Sequence, residues 1–170
     1  FRRSRGLGDV YKRQGSDNDK IPYFSQANIQ YNRGQILHIE SSELSQQELW
    51  NRKGFILPVG EEKFMLGATY EWNEPLLNIT AQAREKLEGV FKTITEASYE
   101  VYGQTVGMRP TVADRRPVMG EHPEYQGLFI FNGLGTKGYM LAPLLSLEMA
   151  QCMTEGRALH EEVVFSRFYK

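Results

Sequence analysis

The sequence predicts an α+β fold, and three observations carry that reading. Several short runs read as strands, alternating over residues 35–40 and apolar or aromatic over 54–59 and 64–72. Residues 80–97 place Ala83, Leu87, Val90, Phe91, Ile94 and Ala97 at helical spacing, with charged residues on the opposite face. Residues 127–147 then run from a short apolar stretch through clustered glycines into a second helical pattern.

Taken in chain order, residues 1–14 look foreign to the rest. They hold five basic residues and one acid, and Asp9-Val-Tyr-Lys-Arg-Gln14 resembles translated adapter sequence, so a non-native or disordered tail is expected. Residues 35–40 follow as a strand. Ser45-Gln-Gln-Glu48 has the spacing of a capping box and predicts a short helical turn. Runs 54–59 and 64–72 are joined by Gly60-Glu-Glu-Lys63, a hairpin signal. The helix over 80–97 lies on the sheet, a long strand spans 99–107, and a last short strand is expected over 163–168.

The glycine-rich stretch carries the most chemistry. Phe129, Ile130 and Phe131 suit a buried strand, while Gly133, Gly135 and Gly138 let the backbone turn sharply and approach a ligand. Pro143 is tolerated in a first helical turn, and Leu141, Leu144, Leu145 and Met149 recur at helical spacing. The glycines therefore stand at a helix N-terminus, where free N–H groups and the helix dipole favour an anion or a carbonyl oxygen. Spacing alone leaves a plain strand-to-helix turn equally open.

Composition narrows the remaining classes. The chain has 170 residues with 41% hydrophobic content, enough for one buried core. No apolar run approaches the roughly 18 residues that cross a bilayer. The lone Cys152 excludes an internal disulfide and agrees with a cytoplasmic setting. The chain's net charge is −1; without residues 1–14 it has 15 Lys+Arg against 20 Asp+Glu, or −5, which argues against a broad nucleic-acid surface. His38, His122 and His160 stand far apart with no Cys or paired carboxylate at ligand spacing, so no metal site is expected.

Two further motifs give the chain a family likeness. Gly107-Met-Arg109-Pro110-Thr-Val-Ala-Asp114-Arg-Arg-Pro117-Val-Met-Gly120 precedes the glycine stretch, and Arg33-Gly34-Gln35-Ile36-Leu37 lies far upstream. Together with residues 127–147, they resemble the C-terminal part of the glycine/D-amino-acid oxidase-like flavoproteins, over about residues 21–170. The resemblance implies FAD as cofactor and an antiparallel substrate-binding sheet with a packed helix. It also implies a terminal strand and helix that complete a Rossmann-like dinucleotide domain. The expected division is a tail at 1–14, a substrate-binding sheet domain at 15–126 and the returning strand–turn–helix at 127–170. The strand–Gly-x-Gly-x-x-Gly–helix unit that holds the dinucleotide's pyrophosphate is not found, since Gly6-Leu7-Gly8 follows Phe-Arg-Arg-Ser-Arg rather than an apolar strand. The chain is therefore expected to be a fragment, inactive alone, whose missing partner is an N-terminal dinucleotide-binding domain. Leu141, Leu144, Leu145, Leu147, Met149 and Met153 cover a broad arc of the last helix. That arc agrees with an absent neighbour, the alternative being burial against the helix at 80–97.

The resemblance also implies residue roles. Arg109 matches the arginine that anchors a substrate carboxylate, which a planar guanidinium can clamp through two parallel hydrogen bonds. Lys137 is a further substrate-side candidate, and Tyr102, with Tyr99, is a candidate for the substrate pocket by residue type alone, where core or cross-strand packing is the alternative. The backbone of Gly133, Gly135, Thr136, Lys137, Gly138, Tyr139 and Met140 is assigned to the flavin, with positive φ expected at Gly138. Hydride would pass from the substrate Cα to flavin N5, with no side chain identified as acid or base. Leu134-Gly-Thr-Lys-Gly138 departs from the His-Phe-Arg-Asn-Gly turn of glycine oxidases and is nearer the Leu-Gly-Ser-Arg-Gly of the oxidase domain acting on carboxymethylaminomethyl-uridine in tRNA. The expected activity is oxidation of an amino acid or secondary amine bearing a carboxylate. The alternatives are that tRNA-directed oxidase and a non-catalytic interaction domain of the same fold.

Overall fold

The longest pairing in the molecule runs along β1 (Gln30–Glu40), which is hydrogen-bonded on both edges. In the computed structural model, which describes Gly15, residues 22–72 and residues 74–169, one edge carries β6 (Glu100–Thr111) from Gln30↔Thr111 to Glu40↔Glu100. The other edge is shared between two strands. β4 (Lys63–Gly67) pairs with residues 36–40, and β5 (Glu71–Trp72) pairs with Asn32 and Arg33. β3 (Phe55–Gly60) and β2 (Trp50–Asn51) extend the sheet outward from β4, so all six strands are antiparallel.

One face of this sheet is covered by α1 (Ala81–Ile94), which begins where the Thr80 hydroxyl accepts the Ala83 N–H at 3.2 Å. Its Ala83, Leu87 and Phe91 are buried, the last two against Leu37, Ile39, Ile56, Phe64 and Leu66. Each large side chain so covered contributes about 1.5–3 kcal/mol. The helical period over residues 80–97 foretold this face, although Thr95 ends the helix.

The chain then forms a smaller unit. β7 (Val118–Glu121) and β8 (Phe129–Asn132) pair as an antiparallel hairpin. Val118 and Ile130 pack with Phe24 and Ala27 of the 3-10 turn Pro22–Ala27 and with Phe165. α2 (Gly138–Glu155) sets Leu145 and Met149 against Met119 and Val163, so it is the hairpin rather than α1 that covers its inner face. Tyr139, Met140, Leu144, Leu147 and Met153 stay exposed on the same helix. Among the described residues no helix is long and apolar enough to cross a membrane.

Several expectations are corrected. The first strand begins at Gln30, five residues early, because its polar N-terminal half is paired on both edges. The run 64–72 is two strands, split where the chain shifts from one half of β1 to the other. Residues 45–48 form no helix; the Ser45 hydroxyl instead accepts the Gln47 N–H at 3.2 Å in a local turn. The strand expected over 163–168 is one bridge, Met119↔Val164, followed by the 3-10 turn Phe165–Phe168 that turns Phe165 into the core. Pro143 is the sixth residue of α2, not part of its first turn. The tail expected at residues 1–14 lies outside the described residues.

The middle of β1 is buried and polar. Arg33 donates from Nε to Glu71 Oε2 at 2.7 Å, and its Nη2 lies 2.5 Å from the same oxygen. Nη1 of Arg33 reaches the Leu76 carbonyl at 2.9 Å and Asn78 Oδ1 at 2.7 Å. Gln35 donates from Nε2 to Glu71 Oε1 and to Thr80 Oγ1, both at 3.1 Å, while its Oε1 accepts from the Thr80 N–H and from Gln104 Nε2. The start of α1 is thereby tied to β1, β5 and β6 at once. Burial alone pushes the Glu71 carboxyl upward, but hydrogen bonds from Thr69, Arg33 and Gln35, with the Arg33 charge, outweigh it and hold the pKa below the ordinary 4.5.

A depressed carboxyl contributes stability that is present above its unfolded pKa and lost as pH falls through the folded value. Glu71→Gln leaves Arg33 with only the more distant Glu74, at 3.7 Å, as counter-charge among the described residues. The variant is expected to lose about 2–3 kcal/mol at neutral pH, or about 5–10 °C in Tm. Its Tm should also fall less steeply than that of the parent below pH 4.5. Thermal melts between pH 3 and 7 would refute this account of the pair if the two proteins gave parallel curves.

Candidate functional site

Arg109 leaves β6 beside the two residues that β1 places opposite and next to it. Asn32 is its cross-strand partner, and Arg109 Nη1 donates to Asn32 Oδ1 at 2.9 Å and to the Thr69 carbonyl at 3.3 Å. The guanidinium lies directly on Gly34, where any Cβ would overlap Cζ, Nη1 and Nη2. Gly34 of the Arg-Gly-Gln motif is thus a close-approach glycine, required by the arginine laid across it. The Tyr70 ring stands 5.4 Å from Arg109 Cζ, and Tyr70 meets Trp72 edge-on at 5.8 Å. Both rings are exposed on this open side of the sheet.

The two arginines of this sheet differ in one respect that decides their chemistry. Arg33 is neutralised by a carboxylate in direct contact. Among the described residues, Arg109 touches only neutral groups, namely an amide oxygen, a backbone carbonyl and an aromatic ring. Nη1 is committed, whereas the edge formed by Nε and Nη2 has no protein acceptor among the described residues. Burial pulls the Arg109 pKa down, with Tyr70 and Glu71 acting in the opposite sense. The group remains a cation, half-buried and held in place, and the free edge is the one that pairs side-on with a carboxylate or similar planar anion.

The glycine turn is brought to the same end of β6. Gly133 and Gly135 have φ of +73° and +55°, the left-handed region open to glycine. A Cβ at Gly135 would stand 2.6 Å from Thr111 Oγ1, and Thr111 bridges to Leu134. Thr111 is two residues beyond Arg109, about 7 Å along an extended strand. A 3-10 turn over Gly135–Lys137 feeds α2, whose N-cap, Lys137, provides no side-chain cap, leaving its first amides free of side-chain acceptors. Gly138, expected at positive φ, has φ −55° inside the helix start, so the sharp turning is done at Gly133 and Gly135.

The other residues singled out in the sequence fall as follows. Thr136, Lys137, Tyr139 and Met140 are exposed around the start of α2. Tyr102 is not brought to Arg109: the two are seven positions apart on β6, about 23 Å given the strand rise, and its ring lies against His38 instead. Tyr99 packs on Phe91 in the core. Arg116 pairs with Glu162, and Asp114 with Arg167, both on the surface of the smaller unit. Asn32, Thr69, Tyr70 and Trp72 escaped the sequence reading. The one signal that pointed to them was Gly34, a glycine inside a strand, which marks close backbone approach.

A sequence model described as FAD dependent oxidoreductase (DAO) matches residues 15–152. Among curated relatives, the uncharacterized oxidoreductase YurR of Bacillus subtilis (strain 168) is 27% identical over 132 residues, 72% of this chain and 35% of its own length. Glycine oxidase of Geobacillus kaustophilus is 28% identical over 120 residues, 66% of this chain and 30% of that protein. The tRNA 5-methylaminomethyl-2-thiouridine biosynthesis bifunctional protein MnmC of Idiomarina loihiensis is 28% identical over 134 residues, 75% of this chain and 22% of that protein. The crystal structure of glycine oxidase from Geobacillus kaustophilus has the same fold, with a TM-score of 0.74 at 21% identity over 85% of this chain and 40% of that one. The chain thus spans about a third or less of the curated relatives it matches.

Packing Arg109 on Gly34 generates a direct test. The atoms that a new Cβ would displace belong to the far end of a long side chain, so Gly34→Ala is expected to fold with a stability change of about 1 kcal/mol or less and to push the guanidinium off Asn32. A crystal structure of the variant with Arg109 still bonded to Asn32 Oδ1 would contradict this packing.

Proposed function

The chain belongs to the FAD dependent oxidoreductase family, and from that premise we propose that the protein carrying it oxidises an amino acid or secondary amine bearing a carboxylate. The observation that carries the reading is Arg109, a desolvated cation with no counter-charge in contact among the described residues and with its Nε/Nη2 edge free. In such a site a carboxylate supplies the missing charge and fixes the substrate's orientation by two hydrogen bonds. Esterified or amidated substrates, which lack that charge, are poor fits.

The residues present suit a flavin beside this anchor. The turn at Gly133 and Gly135 lies against Thr111, and the uncapped amides at the start of α2 follow it. FAD, when bound, supplies the acceptor for the hydride that leaves the substrate's Cα. The chain's contribution is electrostatic and positional. The backbone of residues 135–140 would hold the flavin, where amides and the helix dipole would favour negative charge on the reduced ring, and Lys137 would add a positive charge there. Arg109 sets the distance and direction of the Cα–H bond, and the substrate amine enters neutral. The broad exposed face of α2 is assigned to the dinucleotide-binding part of the protein, with residues 15–126 as the substrate side. A cytoplasmic setting completes the reading.

A second reading is an oxidase acting on carboxymethylaminomethyl-uridine in tRNA. It is favoured by the Leu134-Gly-Thr-Lys-Gly138 turn and by the exposed Tyr70–Trp72 pair beside Arg109, a platform on which a flat base can stack. The acidic body counts against it.

Arg109→Lys keeps the charge but removes the fork. In the complete FAD-loaded protein, kcat/KM for a carboxylate substrate is expected to fall by about 2–4 kcal/mol in transition-state terms with the flavin spectrum unchanged. An unaltered kcat/KM for every accepted substrate would reject the carboxylate assignment. Flavin binding with no turnover of any amine would favour the non-catalytic alternative.

A further inference from the structure

Arg109 is held by a residue whose own amide is only half satisfied. Asn32 is fully buried, and its Oδ1 accepts from Arg109 Nη1. A guanidinium has donors only, so the oxygen must face Arg109 and the orientation of the amide is settled. Nδ2 is then left inside the sheet with no acceptor among the described residues. A buried donor without a partner is destabilising, and an apolar side chain of the same shape would avoid it. The amide oxygen is therefore the part of Asn32 that the site needs.

A carboxylate at this position would hold Arg109 more firmly, as Glu71 holds Arg33 at the neighbouring position of β1. It would also cancel the charge. We propose that Asn32 is a positioning residue that orients Arg109 without neutralising it, so that the arginine's Nε/Nη2 edge and its full charge are kept for an incoming carboxylate. Oriented this way, with Nη1 turned to Asn32 and the Thr69 carbonyl and its plane flat on Gly34, the guanidinium has one edge to offer. Asn32 acts through Arg109 and need not touch the substrate. The inference rests on the reading of Arg109 as an acid-group anchor and sharpens it. Selectivity for an acid over its neutral amide is set by an uncharged side chain behind the arginine.

The test titrates the 15N-labelled chain with sodium glycolate and, separately, with glycolamide, following the side-chain Nε–H resonances of Arg109 and Arg33. In the parent chain, glycolate should move the Arg109 signal saturably and glycolamide should not. The Arg33 signal, engaged with Glu71, should stay in place. Asn32→Asp should raise the apparent Kd for glycolate at least tenfold, remove the preference over glycolamide, and leave the melting temperature equal or higher. Asn32→Leu, close in shape but without an acceptor, should keep the preference while weakening glycolate binding several-fold. Glycolate binding by Asn32→Asp at the parent's affinity, or by Asn32→Leu indistinguishable from the parent, would overturn the proposal while leaving the Arg109 reading intact. A parent chain whose Arg109 signal ignores glycolate would overturn both.

Discussion

Burying a guanidinium strips away its water, so each buried arginine must find acceptors for its donors and an answer to its charge. This sheet meets that demand twice, in opposite ways. Arg33 is fully answered by Glu71, Leu76 and Asn78, and the result is a fastening that ties β5 and the start of α1 to β1. Arg109 is answered in geometry but not in charge, because its contacts among the described residues are neutral. The first arrangement makes the second feasible. Thr69, whose carbonyl holds Arg109, is itself bound to Glu71 and to the Gln35 N–H, so the Arg33–Glu71 pair helps set the position of Arg109.

The same economy explains how distant parts of the chain meet. β6 runs unbroken past Arg109 to Thr111, and Thr111 receives the glycine turn that leads into α2. In this region the absence of Cβ atoms serves two different ends. At Gly34 it makes room for a side chain, and at Gly135 it allows a left-handed backbone to rest on Thr111. Arg109 and the start of α2, whose N-cap supplies no side-chain acceptor, are thereby held at one end of one strand. The outer face of α2 remains apolar and uncovered, the surface on which the rest of a longer protein of this family is proposed to lie.

Much of the fold was legible because its signals are local. α1 followed from the helical period of Ala83, Leu87 and Phe91, and the hairpin of β3 and β4 from Gly60-Glu-Glu-Lys63. What escaped depends on contacts between remote residues. The polar stretch 30–34 does not read as a strand unless the ion pair with Glu71 is known, and the division of 64–72 follows from pairing with two halves of β1. Phe165 reads equally well as strand or turn until the aromatic cluster around it is seen. In the site, Arg109 and the glycine turn were visible as motifs. Tyr102 was drawn in by its residue type, but strand spacing puts it out of reach, and Asn32 carried no motif at all.

The central claim is that an acid group on the substrate meets the free edge of Arg109 next to a flavin seated on the glycine turn. A crystal structure of the complete protein with FAD and a bound carboxylate inhibitor tests it most directly. The account predicts the carboxylate on Nε and Nη2 of Arg109, with Nη1 still on Asn32, and the pyrimidine edge of the flavin facing the amides of residues 135–140. A carboxylate held elsewhere with Arg109 unoccupied, or a flavin remote from that turn, would contradict it.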